Sequence, residues 1–448
     1  MKLKTGSLAA LALPLVMSTS ASHATEARID SMGGGVKLWT IEDESNIFDY
    51  PSLLVRWGNR VYIDNLHPGT EGGELFPNGR FGFHYNLSDD TVIAFVGSHT
   101  NSVTRPVGSG FVPTGNAFTG GQAFSVAFQA SLASDVGGDV GDGTVGADAL
   151  GYVDQRYGIL FATQLGAKTR FGLSFNVAGD NADIESPNVS QVDQGALLFD
   201  IALGLGVDLD GSELELSAGV EFGILEDFRD EADAISGVPG DLLEHWSGSH
   251  FGLRLNGRWT FDFFDQTKIV AYTQFMLGSQ SIDKINTAAI PAESGSYSGL
   301  SFALGADLRI EPFQDVIVSP GLGFLISQQT VEGPNVIDRD ADRLLSLPFY
   351  GLGVDLKLTD WFRMRFGANQ YVNMLRQSQT SGGVTATVAT SDVITSFAWG
   401  FGLNLPVAES NLAIDFSLNP TFFNNGPHVL TGNATGPFAL NAGVRYNW

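Results

Sequence analysis

The chain has no cysteine among its 448 residues. Disulfides are therefore excluded as a source of stability, and a chain this long must rest on one large hydrogen-bonded architecture. Charge is scarce at 16%, and positive charge scarcer still: 24 Lys and Arg stand against 49 Asp and Glu, a net −25. With a pI near 4.4, the chain repels phosphate, which excludes nucleic acid as a partner. No apolar run approaches the roughly 18 residues that a membrane-spanning helix needs. No proline-rich linker, composition break or heptad run divides the sequence. Length alone would suggest about three soluble domains, but large β-barrels run longer as single units.

What is abundant points the other way. Glycine (55) and phenylalanine (32) are plentiful. Lys2 and Lys4 precede an apolar run of about ten residues, and Ser22 and Ala24 offer small side chains at the positions a signal peptidase reads. Residues 1–24 are thus expected to be a secretory signal peptide, the mature chain beginning near Thr25. Export without a stop-transfer helix leaves periplasm, outer membrane or medium.

The last eleven residues alternate without a break. Phe438, Leu440, Ala442, Val444, Tyr446 and Trp448 fall on one face of a strand, and Ala439, Asn441, Gly443, Arg445 and Asn447 on the other. One face suits hydrocarbon and the other a wet or crowded interior, with aromatics at the interface positions. The ending resembles the C-terminal signature by which bacterial outer-membrane barrels are recognised for assembly. The same alternation recurs upstream. Phe199, Ile201, Leu203 and Leu205 oppose Asp200, Ala202, Gly204 and Gly206, and Leu214, Leu216, Ala218 and Val220 oppose Glu213, Glu215, Ser217, Gly219 and Glu221. Three evenly spaced glutamates cannot face lipid, so that face is the lumen.

Seven short turns near 87–90, 165–168, 208–212, 263–266, 311–315, 358–361 and 405–410, with both termini periplasmic, give an all-β transmembrane antiparallel barrel of sixteen strands, the first over 54–64. If that first strand and a neighbour belong to a plug, the count is fourteen. Long connections near 65–78, 99–154, 179–195, 224–247, 280–297, 328–343, 372–391 and 420–435 are expected on the extracellular side. The expected organisation is signal peptide 1–24, plug 25–53 and barrel 54–448.

Lumen-facing candidates are Glu213, Glu215, Glu221, Arg254, Arg258, Arg309, Arg363, Arg365 and Arg445. They either set up a transverse field across a constriction or pair with one another and fill the lumen. Gly141, Gly143 and Gly146 satisfy a dinucleotide-type glycine spacing, but no strand feeds it and no helix opens from it. Asp135, Asp139 and Asp142 could hold Ca²⁺ through oxygen ligands, although their spacing misses the EF-hand loop. The acidic runs 226–233 and 340–342 would either stay solvated or bridge to lipopolysaccharide through divalent cations. His245 and His250, five apart in an expected loop, are the nearest approach to a metal pair. No catalytic serine–histidine–acid set can be placed, and no cofactor is expected beyond such a cation.

Residues 28–35 and 42–53 complete the reading. Ser31, Met32, Gly33 and Gly34, then Asp43 and Ser45, then Pro51 and Leu53 are similar to the opening of the FadL-type outer-membrane transporters, with Asn46 in the same stretch. Asp49 to Ser52 replace that family's Asn-Pro-Ala-Gly core. The resemblance implies a hatch inside the barrel, with Gly33, Gly34, Asp43, Asn46 and Pro51 as hatch residues. It also implies a wall that passes hydrophobic, fatty-acid-like molecules sideways into the membrane. An inner face of Gly, Ser, Asn, Arg and Glu argues instead for a water-filled porin for hydrophilic solutes, and the 99–154 connection for an adhesive barrel. The expected surroundings are outer-membrane lipid and lipopolysaccharide of a Gram-negative bacterium, the barrel-assembly machinery and a small-molecule solute.

Overall fold

A computed structural model describes residues 44–64, 80–99, 155–186, 189–231, 242–285, 293–332, 338–381, 384–418 and 439–448, with Arg28, Ser31, Met32 and Thr40. Sixteen antiparallel strands close into a barrel in sequence order, β1 pairing with both β2 and β16. They are β1 (Arg60–Asp64), β2 (Arg80–Ser88), β3 (Thr91–His99), β4 (Gln155–Gln164), β5 (Thr169–Ser186), β6 (Val189–Leu209), β7 (Ser212–Glu231), β8 (Leu242–Phe264), β9 (Thr267–Ile285), β10 (Glu293–Phe313), β11 (Val316–Glu332), β12 (Asp338–Lys357), β13 (Phe362–Ser381), β14 (Val384–Val407), β15 (Ser410–Leu418) and β16 (Ala439–Asn447). Closure removes every sheet edge along the paired length, which a membrane demands of backbone polar groups. Among the described residues no helix is long and apolar enough to cross a membrane.

The seven expected short turns all join strand pairs at one end. The tightest pairs Leu209 with Ser212 around Asp210 and Gly211, and Gly211 adopts φ +79°, which that turn requires. Exposed Phe264, Phe313 and Trp361 ring the same end, as an interfacial aromatic girdle should. Trp448 finishes the seam. Its N–H donates to the Asn59 carbonyl at 3.1 Å, and its ring lies 5.7 Å from that of Phe83.

Burial follows the period of two. Ile201, Leu203, Leu205, Leu216, Val220, Phe222, Phe251 and Leu304 are exposed on the outer surface, while Glu215, Ser217, Glu221 and Arg254 are buried inside. Phe438 and the side chain of Leu440 lie outside the described residues.

Three expectations change. The first strand begins at Arg60 rather than Leu54. Residues 51–56 form a 3-10 helix, η2 (Pro51–Arg56), preceded by η1 (Glu44–Phe48). Consecutive apolar Leu53, Leu54 and Val55 cannot alternate, and Pro51 supplies a helical φ at the first position. The first strand is thus shortened to Arg60–Asp64, and the strand count stays at sixteen. Second, the connections expected near 179–195, 224–247, 280–297, 328–343 and 372–391 are mostly strand: β5 to β14 run from 17 to 24 residues, against the 9–11 or so that a bilayer requires. The connections 65–78, 99–154 and 420–435 lie outside the described residues except at His99. Third, His245 and His250 sit on β8, not in a loop.

Candidate functional site in the lumen

The lumen holds the N-terminal segment. Ile47, Tyr50, Leu53, Leu54 and Trp57 are buried, and they pack in one cluster with Val92, Ala94 and Val96 of β3 and Leu160 and Ala162 of β4. This inward apolar patch departs from the mostly polar interior expected from the sequence. It faces η1 and η2, whose apolar side chains it buries.

Close approach is made possible by glycine on the wall. A Cβ at Gly172 would lie 2.2 Å from the Pro51 carbonyl carbon, and one at Gly204 would lie 2.7 Å from the Ser52 nitrogen. The plug backbone thus rests directly on the β5–β6 backbone.

Polar contacts fix the register. Ser52 Oγ donates to Glu215 Oε2 and Arg56 Nη2 to Glu213 Oε1. Ser217 Oγ donates to the Asp49 carbonyl at 2.5 Å, and Asn256 Nδ2 reaches that carbonyl at 3.4 Å. Arg170 gathers the wall side: it donates to Asp208 at 2.8 Å, Glu213 at 2.6 Å and Glu215 at 2.7 Å. His84 Nδ1 donates to the Trp57 carbonyl at 2.8 Å, closing the far end of η2.

A second anchor lies across the barrel on β12–β15. Arg28 Nη2 is 3.3 Å from Asp355 Oδ2, the oxygen that also faces Arg363 at 3.4 Å and Arg365 at 3.6 Å. Arg365 donates to Asp415 at 2.5 Å. Ser31 rests on Gly400, whose added Cβ would lie 2.7 Å from that of Ser31. Outside the barrel wall, in the turn after β12, Lys357 hydrogen-bonds Asp360 at 2.7 Å and holds its carboxyl below the usual range.

Of the candidate luminal residues, Glu215, Glu221, Arg254, Arg258, Arg365 and Arg445 are buried inside, and Glu213, Arg309 and Arg363 are partly buried. The structure brings Glu213 and Glu215 together with the plug, and Arg363 with Arg365. Arg309 stands apart near a short turn and pairs with Glu311 at 2.8 Å. Charges of opposite sign pair between neighbouring strands, as in Arg170–Asp208 and Arg363–Asp355, and across one intervening strand, as in Arg170–Glu215 and Arg365–Asp415. Asn46 and Pro51 belong to the plug; the Asn46 carbonyl accepts from the Tyr50 N–H at 2.8 Å. Gly33, Gly34 and Asp43 lie outside the described residues, as does the 135–146 loop, and the acidic side chains of 226–231 are not described. Luminal Arg363 is held by Asp355, and Arg365 by Asp355 and Asp415. Among the described residues no three His, Asp or Glu side chains are placed to hold a metal.

The sequence reading missed Arg28, Ser52, Arg56 and Arg170. Arg170 had a legible signal, alternating with outward Phe171 just past a short turn. Ser52 and Arg56 had none, since their partners lie 163 and 157 residues away.

The sequence matches no protein-family model and no curated protein. Solved structures similar to it include a FadL homologue of Pseudomonas aeruginosa, at 11% identity and TM-score 0.39 over 95% of this chain and 96% of that one. The toluene transporter TodX of Pseudomonas putida gives 11% and 0.36 over 95% and 96%. The outer-membrane transporter YddB of Escherichia coli gives 11% and 0.39 over 89% of this chain and 67% of that one.

Proposed function

We propose that this chain is an outer-membrane barrel that passes small hydrophobic molecules passively across its wall, past an N-terminal plug. The observation that carries this reading is the apolar seam between η2 and β3–β4. Elsewhere the described lumen is mostly charged or polar, and a solute that prefers hydrocarbon has an apolar lining to follow where Leu53, Leu54 and Trp57 meet Val92, Val96 and Leu160. Displacing η2 from those strands uncovers that lining, and a hydrophobic solute can take the place of the plug side chains. The N-terminal resemblance to the FadL-type hatch agrees with this path, as does a terminal strand suited to the barrel-assembly machinery. The surroundings are outer-membrane lipid and lipopolysaccharide.

The test compares the intact protein with a variant lacking 25–50 in planar bilayers. The intact barrel should pass little current, and the deletion should raise ion conductance markedly. In a Gram-negative host, the intact protein should accelerate uptake of toluene but not of glycerol. A water-filled porin for hydrophilic solutes is the second reading, favoured by the buried luminal charges. Steady ohmic conductance from the intact protein, unchanged by the deletion, would establish it instead.

A further inference from the structure

The outer wall is dented where β12, β13 and β14 run side by side. Leu352, Phe366 and Phe397 are exposed there on the lipid-facing side. Two rows cross the three strands in register: Val354, Phe366 and Trp399, then Leu352, Ala368 and Phe397. The other five side chains stand taller than the Ala368 methyl, which sits directly between Leu352 and Phe397. The result is an apolar groove of about 470 Å³, lined also by Gly367 and Ala398. That volume falls within the roughly 300–1,000 Å³ of small-molecule sites.

One step farther from the short turns, Tyr350, Gln370 and Thr395 form the next row. Gln370 Nε2 donates to Thr395 Oγ1 at 3.0 Å on the exposed face. Apolar side chains resume outward beyond that pair, at Val393 and Met374. The pair therefore lies within the hydrocarbon band and not at its edge. A polar group facing hydrocarbon is costly unless hydrogen-bonded. The mutual bond uses one amide hydrogen and one hydroxyl lone pair, which leaves Gln370 Oε1 and the Thr395 hydroxyl proton for a ligand.

The occupant comes from the membrane that this wall faces. A second copy of the chain needs more: the groove is built by eight residues, against the 20–30 or so per side that a stable protein interface buries. A phospholipid tail matches the groove but leaves the polar pair unanswered, because its ester lies at the edge of the band. A tail that itself carries a hydroxyl answers both. We propose that the groove seats one hydroxyacyl chain of lipopolysaccharide. Its methylenes lie against Phe366, Ala368 and Phe397, and its hydroxyl meets Gln370 and Thr395. This seat is independent of the transport reading.

The full chain, refolded in detergent micelles, is mixed with deep-rough lipopolysaccharide or with phosphatidylethanolamine and weighed by native mass spectrometry. The barrel should retain one lipopolysaccharide, at least fivefold more than phosphatidylethanolamine at equal lipid concentration. Ala368→Phe fills the groove and should cut that retention at least fivefold, whereas Ile201→Phe, the same kind of enlargement on the outer face of β6, should leave it unchanged. Gln370→Leu should bring the two lipids within twofold of each other. If Ala368→Phe does not give the heat-modifiable migration of a folded barrel, Phe397→Ala, which removes one flank, should lower retention at least threefold. Retention untouched by a folded Ala368→Phe barrel, or phosphatidylethanolamine held as well as lipopolysaccharide, overturns the seat. So does a dimer mass that Ala368→Phe abolishes, which would give this face to a second copy, or displacement of lipopolysaccharide by toluene, which would give it to the solute.

Discussion

At the scale of single residues, the inward glycines show how the wall was made to receive a plug. A methyl group at position 172 would sit 2.2 Å from the Pro51 carbonyl carbon, where the obstacle is backbone and not a movable side-chain tip. Gly172→Ala should therefore lift η2 off β5–β6 and raise ion conductance in planar bilayers, with the barrel itself still resistant to protease. Alanine at Gly211, in open space but with φ +79°, should disturb the turn and leave conductance alone. Arg170 is the other telling residue. Removing it leaves Glu213 and the buried Glu215 without the cation they share, and breaking a buried pair costs about 3–5 kcal/mol. Arg170→Ala should lower stability by that order in urea unfolding from liposomes. The inner-face glutamates could be read from the sequence because alternation is a local property. Their partners could not, because Ser52 and Arg56 approach from another part of the chain.

At the scale of elements, the outer band of β6 and β7 obeys the hydrocarbon it was read to face. Leu203 lies near the middle of the apolar stretch of β6. An arginine at the bilayer midplane costs about 2–4 kcal/mol, so Leu203→Arg should lose that much in reversible unfolding, and inward Ala202→Ser should lose little. Legibility ended where the bilayer ends. Beyond it the sequence loses its apolar alternation, as along 377–381 (Gln-Ser-Gln-Thr-Ser), although the ladder continues to pair Gln377 with Val388. The strand extensions were taken for connections for that reason. The opposite error fell on 54–56, the end of η2, which the apolar run next to the barrel suggests as the start of its first strand. Pro51 and the unbroken Leu53-Leu54-Val55 run make it a helix with its apolar side chains turned inward.

For the whole molecule, the plug is held at two nearly opposite sectors, η2 on β3–β6 and Arg28 with Ser31 on β12–β15. Losing one anchor should not free it. Arg28→Ala leaves Asp355 with Arg363 and Arg365, so the barrel should keep its stability while single-channel records show brief openings rather than a steady open level. The sequence indicated a plug through a short glycine-rich stretch, but not that the plug would be strapped across the barrel, since no residue spacing encodes a distance through the lumen. The seam adds a constraint in time. β1, five residues long, closes the ring against β16, and the plug stands immediately before β1 in the chain. Trp57 and Tyr50, both buried inside, cannot be threaded through a finished wall or past the arginines that crowd the interior. Docking must therefore come first and sealing second. Biogenesis thus contains a checkpoint: a chain whose plug cannot seat should stall with its seam unzipped, a protease-sensitive late species detectable by pulse labelling.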